Sequence, residues 1–555
     1  MRELVALTLL CCPFAPLTGQ EGQRIGQEPD WKSLVLQART AAGSERELEA
    51  EQFISRAWVL VQKKGAAETD FSIAARDIAD FYQGADQWRQ VDSIYDEALQ
   101  IATGDDYKLT RIQLLTGRAF HYFEGERSTR SIEAARRALE LIQHDYGPKS
   151  AEAGVGLGLC FLGEVLAGEF ELADKTLSEA LAVEKPESRI APVFMEYPVE
   201  SYDELVKTLG ELGSDFYSER GKTDEARDLL RRAASLPVNL ETKADIVQRL
   251  IRSLEKEGRA EEAQRQREQM IKELEASTSP DHSKTARQIV DAAAQRTAKP
   301  VEKPHDAAQG EVEAPRTTML DPFAKARDAA SAALATKHYA EAAAATRALL
   351  AAVPRNSRRD RPGALAEVVV FASRLADTPA RDDRIVEQVE GMLDVDFGRS
   401  HDIPGLLANY YIKTAQSAKA YATLNRWADA VRARMGNDAP QLATVFSLVA
   451  EMKRREHDFR GALTACSDWV ESERAARGRY AQSTADAYLE MAEIAIDYED
   501  LSMARESVAE GVRIANHWSF EDADRYGTRM KRAAAIYRRL KDDDRADELE
   551  QPKSE

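Results

Sequence analysis

The sequence predicts an all-α chain of repeated helical hairpins, set out as two helical arrays joined by a flexible linker, and three observations carry that prediction. Small residues recur at nearly fixed spacing: Ala57, Ala98, Ala138 and Ala180 lie 41, 40 and 42 residues apart, and Ala420, Ala462, Ala504 and Ala546 are each 42 apart. Each period holds two stretches with apolar residues at i, i+3, i+4 and i+7, the spacing of one helix face, and short polar segments join them. Between about residues 275 and 320 the pattern fails, and the chain becomes rich in Ala, Pro, Thr and charge with almost no large apolar residue.

From the N-terminus, MRELVALTLLCCPFAPLTGQ has one basic residue and then an apolar run from Leu4 to Leu17. The run is too short for an ordinary membrane span and passes into polar sequence, so residues 1–19 read as a secretory signal peptide cleaved after Gly19, followed by a flexible segment, 20–34. Export to a periplasm or medium is the expectation. Glu3, Pro13 and Pro16 depart from the usual leader pattern and leave a cytoplasmic protein as the alternative. After such processing only Cys160 and Cys466 remain, both on apolar helical patterns in different halves; they read as buried free thiols.

The first array, 35–275, carries its alanines in SRAWVLVQKKG, YDEALQIATG, RRALELIQHDYG and SEALAVEKP. A small side chain is wanted where two helix backbones approach closely, and hairpins too short to bury their own apolar faces bury them by stacking. The linker, 276–320, holds at most one short helix near Lys284 to Arg296. The second array, 321–550, repeats the rhythm in QSAKAYATL, FRGALTACSDW, LSMARESVAEG and DDRADELE and leaves a tail, 551–555. Residues 355–400 are irregular in period and read as an atypical repeat or a capping hairpin, and the two arrays are expected to move relative to each other, with a single superhelix carrying an inserted surface loop as the alternative.

Successive units share more than alanine. Ile78, Ala79, Tyr82, Trp88, Tyr95 and Ala98 mark one; Ala119, Tyr122, Ser131 and Ala138 the next; Gly168, Phe170, Ala173, Leu177 and Ala180 a third. Leu212, Tyr217, Gly221, Ala226, Leu230 and Ala233 follow, then Gly258 and Ala263, and later Tyr339 with Ala342 and Ala450, Phe459, Ala462 and Trp469. In these residues the chain resembles the tetratricopeptide repeat family over both arrays. Its period exceeds the standard repeat of about 34 residues and is similar to the extended variety of kinesin light chains and many bacterial proteins. Gly436 to Pro440 and Gly147-Pro148 resemble the inter-unit loop of that variety without its histidine. The resemblance implies right-handed solenoids whose first helices line a concave surface where an extended peptide or partner helix docks. It puts forward Asp80, Gln83, Tyr122, Tyr217, Asn409 and Lys413 as candidate partner-binding residues.

Chemistry finds little support beside this. The formal charge of -19, from 76 basic and 95 acidic residues, disfavours nucleic acid and anionic membranes. It favours a basic or neutral partner wherever the binding groove shares the average sign. Gly154, Gly156 and Gly158 spell G-x-G-x-G within a helical pattern rather than after a strand, so they read as close helix packing and not as a nucleotide fingerprint. The eight histidines stand at no ligand spacing, and the carboxylate pairs Asp77 with Asp80 and Glu211 with Asp215 have no Glu-x-x-His companion. No catalytic, cofactor or metal residue is assigned. The expectation is a non-enzymatic scaffold binding protein or peptide, with no stable membrane insertion once the leader is removed and with self-association left open. An exported component binding a small ligand or glycan is the alternative, and an enzyme framed by the solenoid ranks last.

Overall fold

Helices with a single apolar face need neighbours, and this chain supplies them by stacking hairpin on hairpin. The computed structural model describes residues 30–44, 46–67, 70–187, 189–194, 199–276, 322–353, 361–393, 403–519 and 523–550. The leader and the short helix expected near Lys284 to Arg296 lie outside them.

Before residue 277 stand six hairpins: α1 (Trp31–Gly43) with α2 (Glu47–Lys64), α3 (Phe71–Gly84) with α4 (Trp88–Ile101), α5 (Lys108–Glu124) with α6 (Ser128–Tyr146), α7 (Ala151–Leu166) with α8 (Phe170–Ala180), α9 (Tyr202–Glu219) with α10 (Thr223–Ser235), and α11 (Leu240–Lys256) with α12 (Ala260–Ala276). Six more follow residue 321: α13 (Pro322–Ala335) with α14 (Tyr339–Ala351), α15 (Arg361–Leu375) with α16 (Asp383–Met392), α17 (Ile403–Lys413) with α18 (Ser417–Met435), α19 (Gln441–Arg455) with α20 (Phe459–Arg477), α21 (Gln482–Asp497) with α22 (Leu501–His517), and α23 (Ala523–Arg539) with α24 (Asp543–Glu550). First helices pack on the next first helix, as α3 on α5 and α17 on α19, and second helices also meet the first helix that follows, as α6 meets α7 and α20 meets α21. The fold is an all-α solenoid of tetratricopeptide-like hairpins in two blocks. Residues 361–392 form an ordinary hairpin inside the second block, packed between α14 and α17, so their irregular period does not mark a cap.

All eight alanines that define the period are fully buried, and all sit on second helices. They occupy two different seats. Ala57, Ala98, Ala138 and Ala180 are each the eleventh residue of α2, α4, α6 and α8, whereas Ala420, Ala462, Ala504 and Ala546 are each the fourth residue of α18, α20, α22 and α24. At the eleventh seat α18 carries Trp427, whose ring packs over Gly405 of α17. On α7 a methyl at Gly154 would lie 2.8 Å from Leu205, and one at Gly163 2.9 Å from Ile132, so these glycines do permit close helix contact. Cys160 and Cys466 are free and buried, and burial pushes both thiols up to about 12.

The turns within hairpins are built alike. Two residues before the second helix a left-handed residue reverses the chain: Gly168, Gly221 and Gly258 in three turns, and Asp86, Glu126, Lys337, Ala415, His457, Glu499 and Lys541 in seven others. The next N–H then donates back five residues, as from Gln87 to Tyr82 O at 2.9 Å, from Arg127 to Tyr122 O at 2.8 Å and from Gln416 to Tyr411 O at 2.8 Å, closing the Schellman pattern that satisfies the helix end.

The two blocks are in contact through side chains of their turns and loops. Three turns of the first block meet three inter-hairpin loops of the second in order. Arg434 donates to Ala85 O. Arg127, with no exposed surface, donates to Met435 O at 2.7 Å and reaches Asp438 at 3.3 Å, its guanidinium 4.6 Å over the Trp88 ring. Arg130 joins Asp438 at 2.5 Å, and Arg477 reaches Glu126 at 3.4 Å. At the third turn Phe170 stacks on His517 with centroids 4.2 Å apart and meets the edge of Trp518 at 5.0 Å.

Candidate peptide-binding grooves

First helices present the surfaces on which a stacked-hairpin protein can hold a partner, and in the two blocks those surfaces are furnished differently. In the first block, Asp80 of α3 lies 2.7 Å from Nε2 of His121 on α5 and 3.7 Å from Arg39 of α1. Burial opposes the charge on Asp80, but the His121, Arg76 and Arg39 side chains outweigh it and hold the carboxyl below its ordinary value. Gln83, one turn on, donates to Glu124 at 3.3 Å, and burial raises that carboxyl. These two predicted residues therefore share one face with His121 and Glu124.

Across α5 and α7 the same face is covered by the chain itself. Between α8 and α9 the described residues 189–194 run in irregular conformation, with Ile190, Val193 and Phe194 buried. Gln113 of α5 donates to Pro192 O and Thr116 to Val193 O, both at 2.8 Å, while the Ala191 N–H donates to Glu152 of α7 at 3.0 Å.

In the second block nothing among the described residues covers the first-helix face. A groove of about 340 Å³ crosses α15, α17 and α19, floored by Val370, Leu406 and Ile412 and edged by Arg374, Asn409, Lys413, Arg455 and one carboxylate, Glu451. Arg455 is engaged by Glu451 at 2.5 Å. Arg374 lies 5.8 Å over the Phe371 ring, and neither it nor Lys413 has a carboxylate partner among the described residues. Asn409 and Leu406 also line a second, larger cleft of about 850 Å³ that continues the groove past Trp427 and Gln441 to Glu124, Glu126 and Arg477 at the block contact. The combined channel thus runs from a cationic end to an end where two carboxylates from the first block face one arginine.

The structure brings the predicted Asn409 and Lys413 together at this groove, one helical turn apart. Tyr122 instead is buried near the block contact, 3 % exposed, its hydroxyl donating to Asp92 and its ring 6.1 Å from that of Trp88. Tyr217 lies apart from all of these, half-buried beside Phe216, with its hydroxyl pushed up to about 12 by burial and by Asp174. Sequence reading missed Arg374 and Arg455. Their common signal is position: each falls in the last turn of a first helix, as Lys413 does. Among the described residues no group of three or more His, Cys, Asp or Glu could hold a metal ion, and no helix is long and apolar enough to cross a membrane.

No family model and no curated relative matches the chain. Three solved structures are similar at low identity. The APC/C hetero-tetramer Cut9-Hcn1 matches at 11% identity over 94% of this chain and 90% of that one, with a TM-score of 0.21. Naa15/Naa10 bound to HypK-THB matches at 13% over 94% and 92%, with a TM-score of 0.22. The STAND protein with a tetratricopeptide repeat sensor from Pyrococcus horikoshii matches at 12% over 94% and 71%, with a TM-score of 0.23. Scores of this size leave the fold and the site to be argued from the chain itself.

Proposed function

We propose that the protein is a non-enzymatic scaffold that holds a protein or peptide segment along the first helices of its second block. The observation that supports this most is the open groove across α15, α17 and α19, where Arg374 and Lys413 stand without carboxylate partners beside Asn409. Two cations without a carboxylate partner among the described residues, side by side on one groove, favour an anionic occupant. The partner segment would place carboxylates at this end and apolar side chains over Leu406 and Ile412. A basic or neutral partner was favoured on the condition that the groove shared the chain's net charge; this end has the opposite sign. Among the described residues Trp427 is the one aromatic lining this channel, which does not have the aromatic-walled form that the small-ligand alternative calls for.

Capture from native extract with the full chain and with an Arg374→Glu, Lys413→Glu variant tests the reading. Partners retained by the parent and lost from the variant support it; an identical set on both baits contradicts it.

Two finer proposals rest on sequence alone. Kinship with the kinesin-light-chain variety rests on the 40 to 42 residue period. Export rests on the Leu4 to Leu17 run, and N-terminal sequencing of the protein recovered from its native host checks it: a chain beginning near Gln20 supports export, and retention of Met1 contradicts it.

A further inference from the structure

The first-helix face of the first block carries an inference that does not depend on the groove in the second. We propose that this face is a separate peptide site, selective for an extended apolar segment, and that residues 189–194 occupy it in cis.

Three backbone groups of the segment are bonded by side chains of two first helices rather than by backbone. Gln113 holds Pro192 O, Thr116 holds Val193 O and Glu152 takes the Ala191 N–H. Gln113 is itself oriented, because Ser72 of α3 donates to its Oε1 at 2.8 Å. Every peptide carries the same backbone donors and acceptors, so these bonds recognise extended chain and not this chain in particular. Side chains supply the selectivity. Ile190, Val193 and Phe194 are buried, with the Phe194 ring set edge-on to Phe120 at 5.6 Å, while Arg189 and Pro192 face solvent. A ligand would therefore present an aliphatic residue, a small half-buried residue, one tolerant position, a second aliphatic residue and an aromatic.

Tethering at both ends gives the segment an effective concentration on the order of millimolar, so a free peptide competes poorly against it in the intact chain. That is the difference the test reads. The full chain is compared with a variant in which residues 189–194 are replaced by Gly and Ser at equal length, and each is titrated with a fluorescent peptide of residues 187–196. The proposal expects saturable binding to the variant at least tenfold tighter than to the parent, and loss of that gain when Gln113→Ala and Thr116→Val are added. A helical variant that binds no better than the parent overturns it. Hydrogen exchange on the parent chain settles the matter should the replacement unfold the block: the Ala191 amide must exchange through a local opening, faster than the helical amides of Gln113 and Thr116. A common rate for all three makes the segment an integral part of the core and overturns the proposal.

Discussion

The two blocks use one hairpin plan and treat its first-helix face in opposite ways. On α5 and α7 the polar side chains are spent on the chain's own residues 189–194, and the face is closed. On α15, α17 and α19 nothing among the described residues covers Arg374, Asn409 and Lys413, and the face is a groove. A similar contrast runs through the second helices. In the first block the eleventh seat holds alanine in α2, α4, α6 and α8; in the second the seat in α18 holds Trp427, fitted over a glycine and forming a wall of the cleft. Repetition therefore fixes the stacking, and departures from repetition mark where a surface is used.

The largest expected effect tests the contact between the blocks. Asp438 accepts from both Arg127 and Arg130, and Arg127 is fully buried, so Asp438→Ala strands a desolvated guanidinium. A loss of about 3 to 5 kcal/mol is expected in urea denaturation, with the single transition splitting as the blocks come apart. An unchanged midpoint would mean that the blocks do not depend on this cluster. Next in size is the small-residue seat: Ala98→Leu should cost about 1 to 3 kcal/mol through overpacking against the neighbouring helix. A neutral result there would deny that the seat sets helix spacing.

A gain is expected at the turns. Ala415 holds a left-handed backbone, with φ at 57°, that favours glycine, so Ala415→Gly should stabilise the protein by roughly 0.5 to 1 kcal/mol, read as a higher Tm. The smallest effect is a pH dependence at the third turn. Burial against Phe170 lowers the pKa of His517; the hydrogen bond from its Nε2–H to Gly168 O and the charge of Glu171 oppose that shift, and Arg220 and Arg513 add to it. A depressed pKa in the folded state contributes stability above the ordinary histidine value of about 6.5 and loses it as pH falls through that range. The parent should therefore lose a little more stability than His517→Gln between pH 7 and 5, and equal slopes would remove His517 from the account.

Much of this was legible in the sequence where the signal is local. The alanine period located the second helices, because backbone approach selects small side chains whatever else the sequence does, and the buried thiols followed from their apolar surroundings. Glycine in the hairpin turns was legible at Gly168, Gly221 and Gly258. It was not at Glu126, Ala415 or Lys541, where the left-handed residue is of an unrelated type and only the backbone shows it. The contact of Arg127 with Asp438 spans 311 residues and joins two turns, so no periodic pattern reports it. Residues 189–194 were read as part of a continuous solenoid. Pro186, Pro192 and Pro198 amid Ile190, Val193 and Phe194 are an extended-chain signal that the repeat rhythm overshadowed. Of the candidate site residues, Asn409 and Lys413 meet at one groove, Asp80 and Gln83 share another face, and Tyr122 is buried beside the block contact, because first-helix position alone does not say which face a side chain takes.

The central claim is that the open groove of the second block binds an anionic peptide segment through Arg374 and Lys413. Fluorescence anisotropy of labelled Asp- and Glu-containing decapeptides with interspersed Leu, titrated with the full chain and with the Arg374→Glu, Lys413→Glu variant, tests it directly. The account predicts saturable binding to the parent that weakens as salt rises, a loss of at least tenfold in the variant, and no binding of a matched lysine peptide to the parent. Equal affinity of parent and variant for the acidic peptides, or a preference of the parent for the basic one, would contradict it.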